Sequence, residues 1–180
     1  MEKKQLNLTV LKWIEGDISS FSVLYDYYID KIFRFIYFKV PPGEAEDLTE
    51  DVFVKVMEKK HTFDPTKSSF STWIYTIARN TVIDFLRARK VTSELTDAIE
   101  DENDSVQPAF LTEKSLEMQN LKLALETLAK DKQDMVILRF VDELSYQEIA
   151  TILDKSEGSI RISMMRALRD LRSVLEKLET

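Results

Sequence analysis

The sequence predicts an all-α chain: two small helical domains joined by a flexible acidic linker, the C-terminal one containing a helix-turn-helix. Three observations lead there. Of 180 residues, 44% are hydrophobic and 32% charged, with only 3 Gly and 4 Pro, a balance that favours helices and argues against sandwiches, barrels and collagen-like repeats. Apolar positions recur at steps of three and four in both halves, the spacing of a helix with one buried face. The formal net charge of −7 resides in one stretch: residues 1–90 carry 14 basic and 13 acidic side chains and residues 114–180 carry 11 and 12, whereas 91–113 has seven acids and no Lys or Arg. Within it the run from Ala98 to Pro108 lacks helical and strand periodicity and has too little apolar surface to offset the entropy of ordering it. A flexible connector is expected, in the plainest reading a solubilising spacer.

The N-terminal residues Met1, Glu2, Lys3 and Lys4 are followed by no apolar core, and no apolar run approaches the ~20 residues of a membrane span, so a cytoplasmic protein is expected. Phe21, Leu24, Tyr25, Tyr28, Ile32, Phe35 and Ile36 make one long helix, ended by Pro41, Pro42 and Gly43 because proline lacks a donor and restricts its predecessor. A second helix over 46–59 turns Leu48, Val52, Phe53 and Val56 to the core and Asp47, Glu50, Asp51 and Lys55 elsewhere, leaving an acidic face that folding does not require. Residues 61–69 read as a loop, with a turn at Asp64 and Pro65 and Ser69 as an N-cap. A third helix runs from Phe70 to about Lys90. Phe70, Trp73, Ile74, Ile77, Phe85 and Leu86 supply its buried side, and Arg79, Arg87, Arg89 and Lys90 gather against Asp84. Cations at a helix C-terminus suit the helix dipole as well as nucleic acid, and the residues alone leave both readings open.

Past the linker, Met118, Leu121, Leu125 and Leu128 mark a helix with a narrow seam, and Val136, Ile137, Leu138 and Phe140 a second over 131–141. Ser145 and Glu148 match a capping box opening a short helix to Leu153. Ser156 caps the next, which carries Ile160, Met164, Ala167, Leu168, Leu171, Leu175 and Leu178 inward. A short capped helix, a three-residue break and a longer helix are helix-turn-helix anatomy. Ala150 permits close approach, and Ile149, Leu153 and Ile160 form the small core between the two. The second helix would present its N-terminal residues to the major groove, Gly158 would let the backbone near a phosphate, and Arg161, Arg166, Arg169 and Arg172 add cationic reach. A hairpin that only packs is the alternative; cap, alanine, turn and arginines together favour DNA binding.

Without cysteine there is no disulfide, thiolate metal site or cysteine nucleophile. His61, the only histidine, has no partner at metal or triad spacing, and no phosphate loop or dinucleotide fingerprint occurs. No enzyme, metal site or cofactor is expected. Two other classes remain open: a dimeric helix-turn-helix regulator, which would leave the N-terminal half without a task, and an all-helical interaction protein with no DNA dependence. Near-neutral domains bind free DNA weakly, because few phosphate contacts release few counterions.

At these residues the chain resembles bacterial sigma factors of the small two-domain, extracytoplasmic-function group. Gly16 and Asp17 followed by Phe21, Leu24 and Tyr25 look like the opening of their first conserved region. AEDLTEDVF at 45–53 is similar to the stretch that docks on the clamp helices of RNA polymerase, FSTWIYTIARN at 70–80 with Asp84, Leu86 and Arg87 to the part that opens the −10 element, and 144–172 to the module that reads the −35 element. The resemblance implies a region 2-like domain at 1–90, a linker at 91–113 and a region 4-like domain at 114–180. It implies core-polymerase contact through Asp47, Leu48, Glu50, Asp51 and Phe53. Phe63, Asp64 and Lys67 would hold an extruded base of the −10 element, with Arg79, Asn80, Asp84, Arg87, Arg89 and Lys90 on nearby bases and phosphates. Ser156, Gly158, Ser159, Arg161, Ile162, Ser163 and Arg166 would meet the −35 duplex. Partners implied are core RNA polymerase, promoter DNA and an anti-sigma factor, and the acidic linker would mimic a polyanion inside polymerase channels. The chain departs from the family at Glu50 and Asp51 (usually Gln and Glu), at Asp154 and Lys155 (usually Gly and an apolar residue), and at Ile162 and Ser163 (commonly Ser and Arg). The departures in the helix-turn-helix bear on which sequence is read more than on DNA binding itself.

Overall fold

A computed structural model of the chain describes residues 2–95 and 115–178. The chain divides into two units, Met1–Glu102 and Asn103–Thr180, and the described residues form eight α-helices and one short 3₁₀ turn, with no strand.

The expected elements begin at Phe21, yet an earlier helix, α1 (Lys3–Ile14), is present. Its signal is Leu6, Val10 and Trp13 at steps of four and three, all buried. Gly16, at φ +112°, turns the chain into α2 (Ile18–Tyr37). Asp17 caps that helix, accepting from the Ser19 N–H at 2.9 Å and from the hydroxyls of Ser19 at 2.6 Å and Ser20 at 2.8 Å. These bonds to the two serines hold its carboxyl below the usual carboxylate range. Helix α3 spans Ala45–Glu58, the 3₁₀ turn Lys60–Thr62 and α4 Phe70–Leu95. Ser69 caps α4 as expected, accepting from the Thr72 N–H at 3.1 Å. Helix α4 runs beyond Lys90, because residues 91–95 hold no Gly or Pro to stop it and the Thr92 hydroxyl donates to the Ala88 carbonyl at 3.1 Å. The flexible connector expected over the remainder of 91–113 lies outside the described residues.

Helix α1 packs on α2, α2 on α3 and α4, and α3 on α4. Leu24, Tyr28, Ile32, Phe35 and Ile36 of α2 meet Val52 and Val56 of α3 and Ile74, Tyr75, Ala78 and Val82 of α4 in one buried core. Aromatic rings join the pieces: Trp13 lies 5.8 Å from Phe21 and 5.7 Å from Phe70, and Tyr28 lies 5.4 Å from Phe70. The Tyr28 hydroxyl is satisfied by Ser71 Oγ at 2.7 Å. Each such ring pair adds ~0.5–1.5 kcal/mol beyond its buried area, more than an exposed ion pair at ~0–1 kcal/mol, so the rings and not the surface charges set the geometry of this unit. Lys55 was expected on the outer side of α3; instead its ammonium donates to Thr81 Oγ1 of α4 at 3.1 Å, its long stem carrying the charge across the helix interface.

In the second unit α5 (Ser115–Glu126), α6 (Lys130–Phe140) and α7 (Tyr146–Leu153) all pack on α8 (Glu157–Leu178). Leu125, Ile137, Leu138, Ile149, Ile160, Met164 and Ala167 are at most 1% exposed. The inward stripe of α8 is Ile160, Met164, Ala167 and Leu171; Leu168, expected within it, is 37% exposed, displaced by one residue's ~100° rotation from Ala167. The side chains of Met118 and Leu178 lie outside the described residues. The predicted capping box is complete: the Glu148 N–H donates to Ser145 Oγ at 3.2 Å and the Ser145 N–H to Glu148 Oε2 at 3.0 Å. Asp154 takes the left-handed conformation, φ +53° and ψ +51°, that ends α7, and the Lys155 N–H closes the turn on the Ala150 carbonyl at 2.9 Å. Lys155 ion-pairs with Asp131 of α6. Lys132 of α6 donates to Asp170 of α8 at 2.8 Å, and that bond draws the Asp170 carboxyl below its ordinary value.

Asp154→Gly is expected to raise stability by ~0.5–1 kcal/mol, because glycine holds the left-handed conformation without a Cβ clash. Thermal unfolding of the full chain checks this; a lowered midpoint would mean that the Asp154 side chain stabilises the turn by more than its strain costs.

Candidate nucleic-acid and protein interfaces

On α3, Asp47, Glu50 and Asp51 are exposed, and Val54 and Met57, 54% and 55% exposed, continue the same face at helical steps. Leu48 and Phe53 do not belong to it. They are 6% and 5% exposed, and the Phe53 ring sits 4.6 Å from Tyr25. Val52 and Val56, fully buried, fix the inward direction, and at ~100° per residue Leu48 and Phe53 fall within the same buried arc. Sequence reasoning missed Val54 and Met57, although two apolar residues three apart among acidic positions were the available signal.

At the start of α4 the loop is built on Asp64. Its Oδ1 accepts from the Thr66 N–H at 2.9 Å and the Thr66 hydroxyl at 2.6 Å. Those hydrogen bonds hold the Asp64 carboxyl below the carboxylate range, with Lys67 at 3.4 Å adding less. Lys67 projects into solvent. Phe63, expected to face a base, is instead 7% exposed and packed 5.1 Å from Trp73 and 5.6 Å from Phe70. It is the only large apolar side chain of the loop, and the aromatic core beneath takes it. Beside the loop a pocket is lined by Lys3, Asn7, Pro65, Ser68 and Phe70, so α1 borders this site as well.

Along α4, Asn80, Asp84 and Arg87 share an exposed face at steps of four and three. Arg87 lies 3.9 Å from Asp84, Arg89 reaches Glu44 at 3.5 Å, Lys90 is exposed and Arg79 is half-buried. From Phe70 to Lys90 the helix rises about 30 Å at ~1.5 Å per residue. The start of α4, beside the loop, and its basic end therefore lie about 30 Å apart, with Arg79 and Asn80 about midway between them.

In the second unit Ser156 caps α8, its Oγ accepting from the Ser159 N–H at 3.2 Å. Gly158 has no neighbouring atom within 4 Å of where a Cβ would stand, leaving open space for a phosphate to approach. The outer face of the helix carries Arg161, Ile162, Met165 and Arg166, with Ile162 at 55% and Met165 at 74% exposed; Ser163 is half-buried on its flank. Arg161 donates through Nε to Glu157 Oε1 at 3.1 Å. Met165 was absent from the sequence expectation, though it follows Ile162 by one helical step.

Two families match these units in order, Sigma-70 region 2 over residues 24–92 and Sigma-70, region 4 over residues 118–171. The ECF RNA polymerase sigma-E factor of Escherichia coli is 33% identical over 176 residues, covering 91% of this chain and 91% of that protein. The chain belongs to the ECF RNA polymerase sigma factors. The ECF RNA polymerase sigma factor BldN of Streptomyces coelicolor is 35% identical over 166 residues and 89% of this chain, which spans 62% of that relative's length. The sigma factor RpoE from Bartonella quintana, solved in complex with the anti-sigma factor NepR, superposes with a TM-score of 0.76 at 26% identity, covering 88% of this chain and 98% of that one. As an ECF sigma factor the chain binds core RNA polymerase and directs transcription initiation at promoters. Helix α1 lies ahead of the region 2 match.

Phe63→Ala is expected to destabilise the protein by about 3–5 kcal/mol, the cost of a large buried aromatic, in chemical denaturation of the full chain. A loss below ~1 kcal/mol, accompanied by impaired promoter opening, would return Phe63 to a base-stacking role.

Proposed function

We propose that three surfaces divide the work of initiation. The outer face of α3 docks on a basic surface of core polymerase: Asp47, Glu50 and Asp51 supply steering and charge complementarity, and Val54 and Met57 the apolar contact that excludes water. The loop at 63–67, its backbone pinned by Asp64 and supported from below by Phe63, offers Lys67 to the phosphate next to an extruded base. Arg79 and Asn80 reach bases or phosphates beyond it, and Arg87, Arg89 and Lys90 take the backbone at the far end of α4, with Asp84 orienting Arg87.

Helix α8 reads the −35 element as duplex. Gly158 brings a backbone N–H group to a phosphate, Ser156 and Ser159 offer hydroxyls beside it, Ser163 lies at the edge of the groove, and Arg161 adds charge. Arg166 suits a guanine through a bidentate pair, and Ile162 and Met165 suit thymine methyl groups, the apolar feature of the major groove. The observation that carries this reading is the outward set on α8: apolar and cationic side chains share the one face of the helix that the unit's core leaves free. Domain boundaries are proposed at 1–90, 91–113 and 114–180, with α4 extending to Leu95.

Promoter DNA and polymerase make the cytoplasm the proposed location, and among the described residues no helix is long and apolar enough to cross a membrane. No catalytic role is assigned, and an anti-sigma factor is a proposed partner, as the RpoE structure pairs a sigma factor with one.

Run-off transcription with core polymerase across a promoter library tests the whole assignment; no initiation from any promoter by folded protein would sink it. Asp47→Arg is expected to reduce retention on core polymerase in co-purification, and unchanged retention would remove this face from docking. Arg166→Ala is expected to cost ~1–3 kcal/mol on promoters that depend on the upstream element, an equal loss on promoters lacking it being the contrary result.

A further inference from the structure

Three helices of the second unit place one side chain each at a common point. Arg139 comes from the last turn of α6, Tyr146 opens α7 and Arg161 lies in the second turn of α8. The guanidinium carbons of Arg139 and Arg161 stand 5.0 and 4.6 Å from the centroid of the Tyr146 ring. Arg139 also donates to the Leu144 carbonyl at 2.9 Å, so one arginine is fixed from two directions, and Arg161 is held between the ring and Glu157. The ring is half-buried while Arg161 remains exposed.

Two like charges gathered on one ring repel, and long arginine side chains lose rotamer entropy when fixed. An aromatic face offsets both, because its quadrupole attracts each cation. A guanidinium drawn to a ring spends none of its N–H groups as conventional donors on that contact, and those groups match phosphate oxygens. The ring therefore orders these arginines without consuming the donors that a phosphate needs. Glu157 does the opposite to Arg161, occupying two of its N–H groups, and a phosphate that approaches must displace that carboxylate.

We propose that Tyr146 is a positioning residue that holds Arg139 and Arg161 ready for backbone phosphates of the upstream promoter duplex. The proposal rests on the reading of this unit as the duplex-binding module. It assigns Tyr146 and Arg139 to affinity that does not depend on base sequence, since phosphate contacts position a protein without reading bases.

The test is competition binding by the holoenzyme to promoter fragments carrying either an intact or a scrambled upstream element. Tyr146→Leu is expected to weaken binding roughly fivefold to tenfold on both fragments, whereas Tyr146→Phe, which keeps the ring, stays within about twofold. In an Arg139→Met, Arg161→Met background, Tyr146→Leu is expected to add no further loss, a non-additivity that a purely structural role does not produce. A full extra loss in that background, or Tyr146→Phe failing as badly as Tyr146→Leu, overturns the positioning role. The Arg166→Ala variant separates the two readings: a loss there with a silent Tyr146→Leu refutes the positioning alone, and silence of both refutes the duplex-binding reading with it.

Discussion

The first unit depends on a single packing device, the aromatic cluster in which Phe70 meets Trp13, Tyr28, Phe63 and Trp73 within 5.7 Å of ring centroids. Phe70 is the first residue of α4 and 3% exposed, so the ring that starts the long helix also fixes where the loop before it sits and where α1 lies. Edge-to-face pairs such as Phe63 with Phe70 at 85° are directional, which is how a small core specifies the orientation of the surface above it. The loop is mounted on this cluster; its own hydrogen bonds at Asp64 shape it but do not anchor it.

The second unit solves the same problem with one helix. Three helices cover the inward side of α8, and what they leave uncovered is the face that carries Arg161, Ile162, Met165 and Arg166. A unit this small has no spare element to build a separate binding site, so each helix must divide its circumference between core and partner. That division accords with the near-neutral charge of both halves: cations appear at helix ends and along one face, balanced by acids elsewhere.

Much of this was legible in the sequence because it is local. The capping box at Ser145 and Glu148 and the cap at Ser69 depend on neighbours a few residues away, and both occur as read. Helical spacing turned Leu48 and Phe53 to the core, and there they are buried; the resemblance to the family, not periodicity, set them at an interface together with Phe63. Phe63 lies in a loop, where no period applies, and its burial is decided by the rings of Phe70 and Trp73. Val54 and Met57 are the converse case, apolar side chains left outside because no second layer covers α3. Helix α1 was passed over because its short apolar seam of Leu6, Val10 and Trp13 follows a charged start. The Tyr146 cluster was not legible at all, since it assembles three side chains from three helices.

Helix α4 extends this logic into length. Its first half is gripped by the core through Ile74, Tyr75, Ala78 and Val82, while its second half, with Arg87, Arg89 and Lys90, stands largely in solvent. A rod clamped at one end and working at the other is a ruler. Insertion of one residue between the two halves would advance the basic end by only about 1.5 Å but swing it through about 100°, carrying Arg87 off the line of Asn80. Outside Asn80, Asp84, Arg87, Arg89 and Lys90 the exposed stretch of this helix can therefore change its residues but not its length, and insertions and deletions among its relatives should be excluded from a segment that looks, by burial alone, permissive.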